Sequence, residues 1–285
     1  MFKKLSCAGV FSLAIAGMSS AAMAQEADTN APKDNVLEGD HLTVGVGGIY
    51  MPSYAGSDDY KAGVIPLVRG KIRGVRINPV GGGVALDLID DSNSSPNFQL
   101  GPVISLRRDR VGRIKDDVVE RLGDLDTALE VGPQAGITFP GVINPYDQFN
   151  ISVNAQWDVL GAHKGMTISP SVSYLTPLSR GIQAGLSVSA TRGDDNFMDY
   201  YYSIDSAGAA NSGLSEYKAK GGWQSVGANF IAGFDLDGDF TNGGLGVFVL
   251  GGYSRMLDDA KRSPITSVRG SADQWMGGVG LSYTF

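Results

Sequence analysis

The chain has 285 residues, a formal charge of −7, 40 glycines, two histidines and a single cysteine. That balance excludes a basic nucleic-acid binder, and with the cysteine at position 7 it excludes a disulfide framework or thiolate metal site in the rest of the chain. Apolar residues are spread along the whole length and no run is long enough for a membrane helix, a distribution that suits many short strands.

At the N-terminus, Lys3 and Lys4 precede the run Leu13-Ala14-Ile15-Ala16-Gly17, and Ala22-Met23-Ala24 follows before Gln25. This is the charged, apolar and small-residue order of a secretory signal. The run is too short to span a bilayer, and Cys7 lies ahead of it, badly placed for a lipoprotein acceptor. Residues 1–24 are therefore expected to be a signal peptide, whose loss with its two lysines carries the charge from −7 to −9. Residues 25–40 are polar, include Pro32, and read as a flexible periplasmic lead-in. The domain proper is then 41–285.

Strand periodicity dominates that domain. Phe149, Ile151, Val153, Ala155, Trp157 and Val159 alternate with Asn150, Ser152, Asn154, Gln156 and Asp158, which places all apolar groups on one face. Leu129 to Phe139 and Ile182 to Val188 repeat the pattern, and glycine-richer versions cover Leu42 to Tyr50, Phe98 to Leu106, Met166 to Tyr174, Val226 to Leu236, Leu245 to Tyr253 and Trp275 to Phe285. Most run to about ten residues, the length of a tilted strand crossing a bilayer.

A soluble sandwich also alternates, but three features favour an antiparallel transmembrane β-barrel. Trp157, Tyr174, Trp223, Tyr253, Trp275 and Tyr283 fall near strand ends, where aromatic girdles meet the lipid interfaces. The chain ends on Phe285 with Tyr283, Leu281, Val279, Gly277 and Trp275 at every second position behind it, like the terminal signal read by the barrel-assembly machinery. Traced back from a periplasmic C-terminus, residues 257–273, 193–222, 160–165 and 108–127 become outer loops. Residues 237–243, 177–181, 139–148 and 90–96 become inner turns, and the outer set is mostly the longer, as barrels require. Between Val64 and Ile89, Arg73-Gly74 and Gly81-Gly82-Gly83 read as two turns and give twelve strands, the preferred number; one bent strand there would give ten.

Candidates for chemistry are few. His41 and His163 fall at opposite ends of the barrel; His163 could pair with Asp158, but a solvated loop histidine is the favoured reading and no enzyme is expected. Asp235-Leu236-Asp237-Gly238-Asp239 begins like a calcium loop, then places Phe240 where the turn glycine belongs and Gly246 where the glutamate belongs, so it reads as an acidic turn. Gly70-Lys71 lacks the spacing of a phosphate loop. Arg107, Arg108, Arg110, Arg113 and Lys115, followed by Asp116, Asp117, Glu120, Asp124 and Asp126, could hold lipopolysaccharide phosphates, constrict a pore, or form a solvated mixed-charge loop. Inward residues of the clearest strands are Ser, Asn, Gln, Gly and Thr, which implies a narrow hydrated lumen. No catalytic, cofactor or metal residue is assigned.

The sequence resembles the MipA/OmpV family. The likeness rests on Tyr50-Met51-Pro52-Ser53-Tyr54-Ala55-Gly56-Ser57, Leu100-Gly101-Pro102, Gly112-Arg113, Ala128-Leu129-Glu130-Val131-Gly132, Ser212-Gly213-Leu214-Ser215-Glu216-Tyr217 before Gly221-Gly222, Ser263-Pro264-Ile265 and Leu281-Ser282-Tyr283-Thr284-Phe285. Asp258-Asp259-Ala260-Lys261-Arg262 departs from the alanine-rich run usual before Ser-Pro-Ile. The resemblance implies a non-enzymatic scaffold linking a murein lytic transglycosylase and a penicillin-binding synthase at the periplasmic face. A narrow passive channel or a surface adhesin or antigen, the latter dependent on residues 193–222, is the alternative. Membrane lipid, lipopolysaccharide and the barrel-assembly machinery complete the expected partners.

Overall fold

The computed structural model describes residues 35–90 and 96–285. The expected signal peptide and the first part of the lead-in lie outside the described residues. The last six residues of the lead-in turn back onto an inner turn through Val36 N–H donating to the Thr241 carbonyl at 2.9 Å.

Twelve strands form a closed antiparallel barrel in which each pairs with its sequence neighbours and the last meets the first. They are β1 (His41–Pro52), β2 (Tyr60–Ile72), β3 (Val75–Val80), β4 (Gly83–Asp87), β5 (Asn97–Arg107) and β6 (Ala128–Pro140). The second half comprises β7 (Gln148–Asp158), β8 (Met166–Ser179), β9 (Ile182–Gly193), β10 (Gly222–Asp235), β11 (Gly244–Met256) and β12 (Asp273–Thr284). Both turns expected between Val64 and Ile89 are present. Arg73 and Gly74 have φ of 51° and 83°, the left-handed pair that a tight two-residue hairpin needs. β3 and β4 are the short strands of that region, with 6 and 5 residues.

Alternation sets which side chains meet lipid. In β7, Ile151 and Val153 face outward and stay exposed, while Asn150 points inward to Gln99 and Thr138. Ser152 continues this lumen ladder to Ser171 at 2.8 Å. Serine, threonine and amide groups thus line the wall from β6 to β9. The opposite wall departs from the expected polar lumen. The registers of β10 through β2 turn Ile231, Phe248, Leu250, Ile49, Ile65 and Leu67 inward. Phe248 is buried because glycines surround it, and a side chain on Gly47 would begin 3.0 Å from its ring. The polar expectation came from strands with clean alternation; the glycine-rich strands carry an apolar inner face.

Face assignment in β7 is testable. Val153→Arg should cost about 2–4 kcal/mol of barrel stability because it puts a charge near the bilayer midplane, whereas Asn154→Arg keeps its charge in lumen water and should cost far less. Denaturant titration of both variants in liposomes reads the difference, and the reverse order would place the strand the other way round.

Candidate functional site

The largest fully buried side chains are Tyr202, Phe197, Met198 and Ile265, all in outer loops. Five short helices fold there: α1 (Asp117–Glu120), α2 (Asp195–Tyr202), α3 (Ser206–Ser212), α4 (Asp258–Arg262) and α5 (Pro264–Ser267). Their N-termini leave N–H groups unpaired, and local side chains accept them: Asp116 takes Val118 and Val119, Asp194 takes Phe197, Asp205 takes Gly208, and Ser263 takes Ile265. Asp194 also accepts the Met166 N–H at 2.9 Å, which ties α2 to the first residue of β8.

Two apolar clusters close the outer mouth. One joins Phe197, Met198, Tyr201 and Tyr202 of α2 to Met256 of β11 and Ala260 of α4. The other joins Tyr54, Ile114, Val119, Ile204, Leu214 and Ile265, contributed by four different outer segments. Ser263 Oγ donates to the Tyr202 carbonyl at 2.7 Å, and the Asp259 carboxylate accepts from the Tyr217 hydroxyl and the Lys220 N–H. Burial pushes the Tyr201 and Tyr202 hydroxyls well above the usual tyrosine range, so both stay neutral.

Below α2 the closure meets the barrel through ions. Arg107 of β5 donates two hydrogen bonds to Glu130 of β6, Nε to Oε1 at 2.8 Å and Nη2 to Oε2 at 3.1 Å. This is the bidentate fork that guanidinium and carboxylate geometry favours. The Arg107 guanidinium also lies 4.9 Å from the Phe197 ring centroid. His163 adds a third contact. Its Nδ1 accepts the Gly165 N–H at 3.1 Å, so its Nε2 carries the proton and donates to Glu130 Oε1 at 3.2 Å.

His163 is therefore not solvated: its residue is 3% exposed, and its ring stands edge-on to Phe197. Asp158 accepts its backbone N–H, not its ring. His41 lies at the other end, where Nδ1 contacts the Gly39 carbonyl. The basic loop is solvated only in part, with Arg108, Arg113, Lys115, Asp117, Asp124 and Asp126 exposed. Arg107 turns into the lumen, Arg110 is buried, and Asp116 pairs with Arg269 at 3.0 Å. In the acidic turn, Asp235 spends one oxygen on the N–H groups of Asp237, Gly238 and Asp239. Glu130 escaped sequence reasoning, although an ionisable residue on the inner face of a membrane strand is a signal in itself.

A cavity of about 390 Å³ lies between this closure and the lumen, touched by Met51, Lys61, Arg108, Asp109, Met256 and Met276 among others.

A closed antiparallel barrel with an apolar outer band, aromatic strand ends and a folded outer closure is an outer-membrane β-barrel protein. Its residues 44–285 match the family described as MltA-interacting protein MipA, and the chain belongs to that family. No curated protein matches it. Among solved structures it is similar to an outer-membrane channel from Pseudomonas putida F1, with 13% identity over 87% of this chain and 96% of that one and a TM-score of 0.42. It is also similar to the Ralstonia pickettii toluene transporter TbuX, with 9% identity, 86% and 89% coverage and a TM-score of 0.34. These likenesses are distant, and the architecture rests on strand register.

Glu130→Ala should cost about 3 kcal/mol, because it strands Arg107 without its counter-ion. Hydrogen exchange should show faster amides in α2, and Arg107→Met with Glu130→Met should restore most of their protection; an unchanged α2 in Glu130→Ala would show that the ion contact does not hold the closure. Acid should loosen the closure too. Burial raises the Asp259 carboxyl, but hydrogen bonds from Lys220, Arg262 and Tyr217 outweigh it and hold the group below its ordinary 3.8. A depressed folded value stabilises fully above 3.8 and is lost as pH falls through the folded value. Protection in α4 and residues 216–220, taken relative to the intrinsic exchange rate at each pH, should fall in that acid window and stay level between pH 5 and 8.

Proposed function

We propose that this protein is a non-enzymatic scaffold whose membrane-fixed barrel holds a murein lytic transglycosylase and a murein synthase at the periplasmic face. The observation that carries this is the inner turn between β6 and β7. Asp147 accepts the N–H groups of Val142, Ile143 and Asn144 at 2.7–2.9 Å and the Tyr174 hydroxyl at 2.7 Å. That fixed turn leaves Val142, Ile143 and Tyr146 exposed at 55, 78 and 79%. A rigid apolar knuckle is pre-organised for a protein partner, since its ordering cost is met before binding. The family description, MltA-interacting protein, supports the same partner class.

Other readings have less support. The lumen is crossed where Arg69 of β2 reaches Gln183 of β9 on the opposite wall at 3.4 Å, and it is covered by the outer clusters, which disfavours a passive channel. Residues 193–222 turn their aromatic side chains into the closure, which disfavours an adhesin built on that segment. Glu130 and His163 are buried and committed to each other and to Arg107, in keeping with a structural role. Lipopolysaccharide around the outer girdle and the barrel-assembly machinery at β12 remain the other proposed partners.

The test is binding of a purified murein lytic transglycosylase to the barrel in nanodiscs. Ile143→Asp with Tyr146→Asp should weaken it about tenfold or more, as loss of a central apolar anchor does, without altering heat-modifiable migration. Wild-type binding by that variant would remove the knuckle from the interface, and no binding by the native barrel would refute the scaffold.

A further inference from the structure

We infer that the cavity beneath the closure opens sideways to the outer leaflet through a break in the barrel wall, and that it binds a single acyl chain carrying an anionic head. The break follows from strand length. Ten strands have 11–14 residues, but β3 and β4 have 6 and 5. At about 3.3 Å per residue the β3–β4 hairpin rises roughly 20 Å at most, short of the ~30 Å hydrocarbon core.

Register shows where the wall is missing. β2 pairs with β1 from Tyr60 to Lys71, yet with β3 only at Gly70, Lys71 and Ile72. On the far side, β4 meets β5 at residues 83–85 opposite 105–103. Among the described residues, the edge of β2 over 60–69 that faces away from β1 has no strand partner. Pro66 sits within that edge, where its missing N–H costs no ladder bond on the open side. Unpaired amides at this depth are costly against hydrocarbon, so the wedge needs water or a polar ligand group.

The cavity touches both lips of the wedge: Lys61 on β2, and Gly81, Gly82, Leu106 and Arg108 on the other side. Arg107 is committed to Glu130, and Asp109 accepts the Ala55 N–H. Lys61 and Arg108 make no ion pair within the described residues, and Lys61 acts only through space on the Asp109 carboxylate of the same lining, so two cations flank the opening without a direct counter-ion. Deeper in, Met51, Met256 and Met276 supply a soft apolar lining that adapts to a flexible chain. A volume of about 390 Å³ is at the lower end for small-molecule sites, which fits one chain and not a multi-chain lipid drawn in whole. The head can come from a free fatty acid or from a membrane lipid that inserts one chain.

The experiment is photolabelling of the full barrel in phosphatidylethanolamine–phosphatidylglycerol nanodiscs, followed by peptide mapping. The probes are dodecanoate with a terminal diazirine, the matching dodecanol, and a phospholipid with the diazirine on one chain. Dodecanoate should label peptides containing Met51, Met256 or Met276, and excess unlabelled dodecanoate should displace it. Gly81→Trp, placed where a Cβ meets open space, should cut this labelling about tenfold while leaving the lipid-facing Val64 peptide labelled. Lys61→Gln with Arg108→Gln should lower labelling by dodecanoate and spare dodecanol. Interior labelling by the phospholipid probe would identify membrane lipid as the source, and its absence a free fatty acid; either supports the site. Labels confined to lipid-facing residues overturn the proposal, as does interior labelling that Gly81→Trp leaves unchanged. Heat-modifiable migration checks folding. If Gly81→Trp does not fold, the charge variant decides, and equal loss of the anionic and neutral probes overturns the proposal.

Discussion

Hydrocarbon offers a backbone N–H nothing to bind, and each amide left unpaired there costs several kcal/mol. A sheet in the outer membrane therefore has to consume its own edges, which here means that β12 returns to β1. The seam pairs Thr43 with Thr284 and runs through Gly47 and Gly280 to Tyr50 and Gly277. Phe285 and Leu42 exchange backbone hydrogen bonds just beyond it. Closure at the last residue explains why the C-terminal alternation is so regular: a one-residue slip would turn Leu281 and Tyr283 into the lumen.

Once the strands face their apolar side chains to lipid, the usual place for a hydrophobic core is gone. The chain builds its core instead from outer-loop side chains, with α2 laid across the mouth. Membrane solvation holds the barrel and water drives burial in the closure, so the two parts answer to different solvents. The apolar inner wall of β10 through β2 bridges them, since Phe248 and Ile49 are buried on the lumen side. Glycines on β1 and β12 let the rings approach the wall closely, at the expense of the alternation that marks a strand in sequence.

That trade decides what could be read beforehand. β7 was legible because each of its residues obeys one rule, and the hairpin at Arg73-Gly74 because left-handed backbone restricts residue choice. The closure was not, although Asp194 ahead of Phe197, Met198 and Tyr201 has the cap and spacing of a short amphipathic helix. In a segment of mixed glycine, serine and aspartate, that signal is weaker than the loop signal around it. The contact of His163 with Glu130 was beyond sequence reasoning, since it depends on the β6–β7 register and on a loop path that brings residues 33 apart together.

The ion network then sets the position of the closure more than its strength. A buried ion pair gains little net energy over a well-packed apolar pair, because desolvation offsets most of the attraction, whereas an apolar contact tolerates sliding. α2 would slide easily if aromatic packing alone held it. The Arg107 fork fixes a plane and a distance to Glu130, and the face of that guanidinium receives Phe197 and Tyr201. His163 adds a donor with a proton placed by the Gly165 N–H, and the Ser105 hydroxyl donates to the other oxygen. A single carboxylate on β6 thus dictates where the helix rests, and the loops that pack on α2 inherit that register.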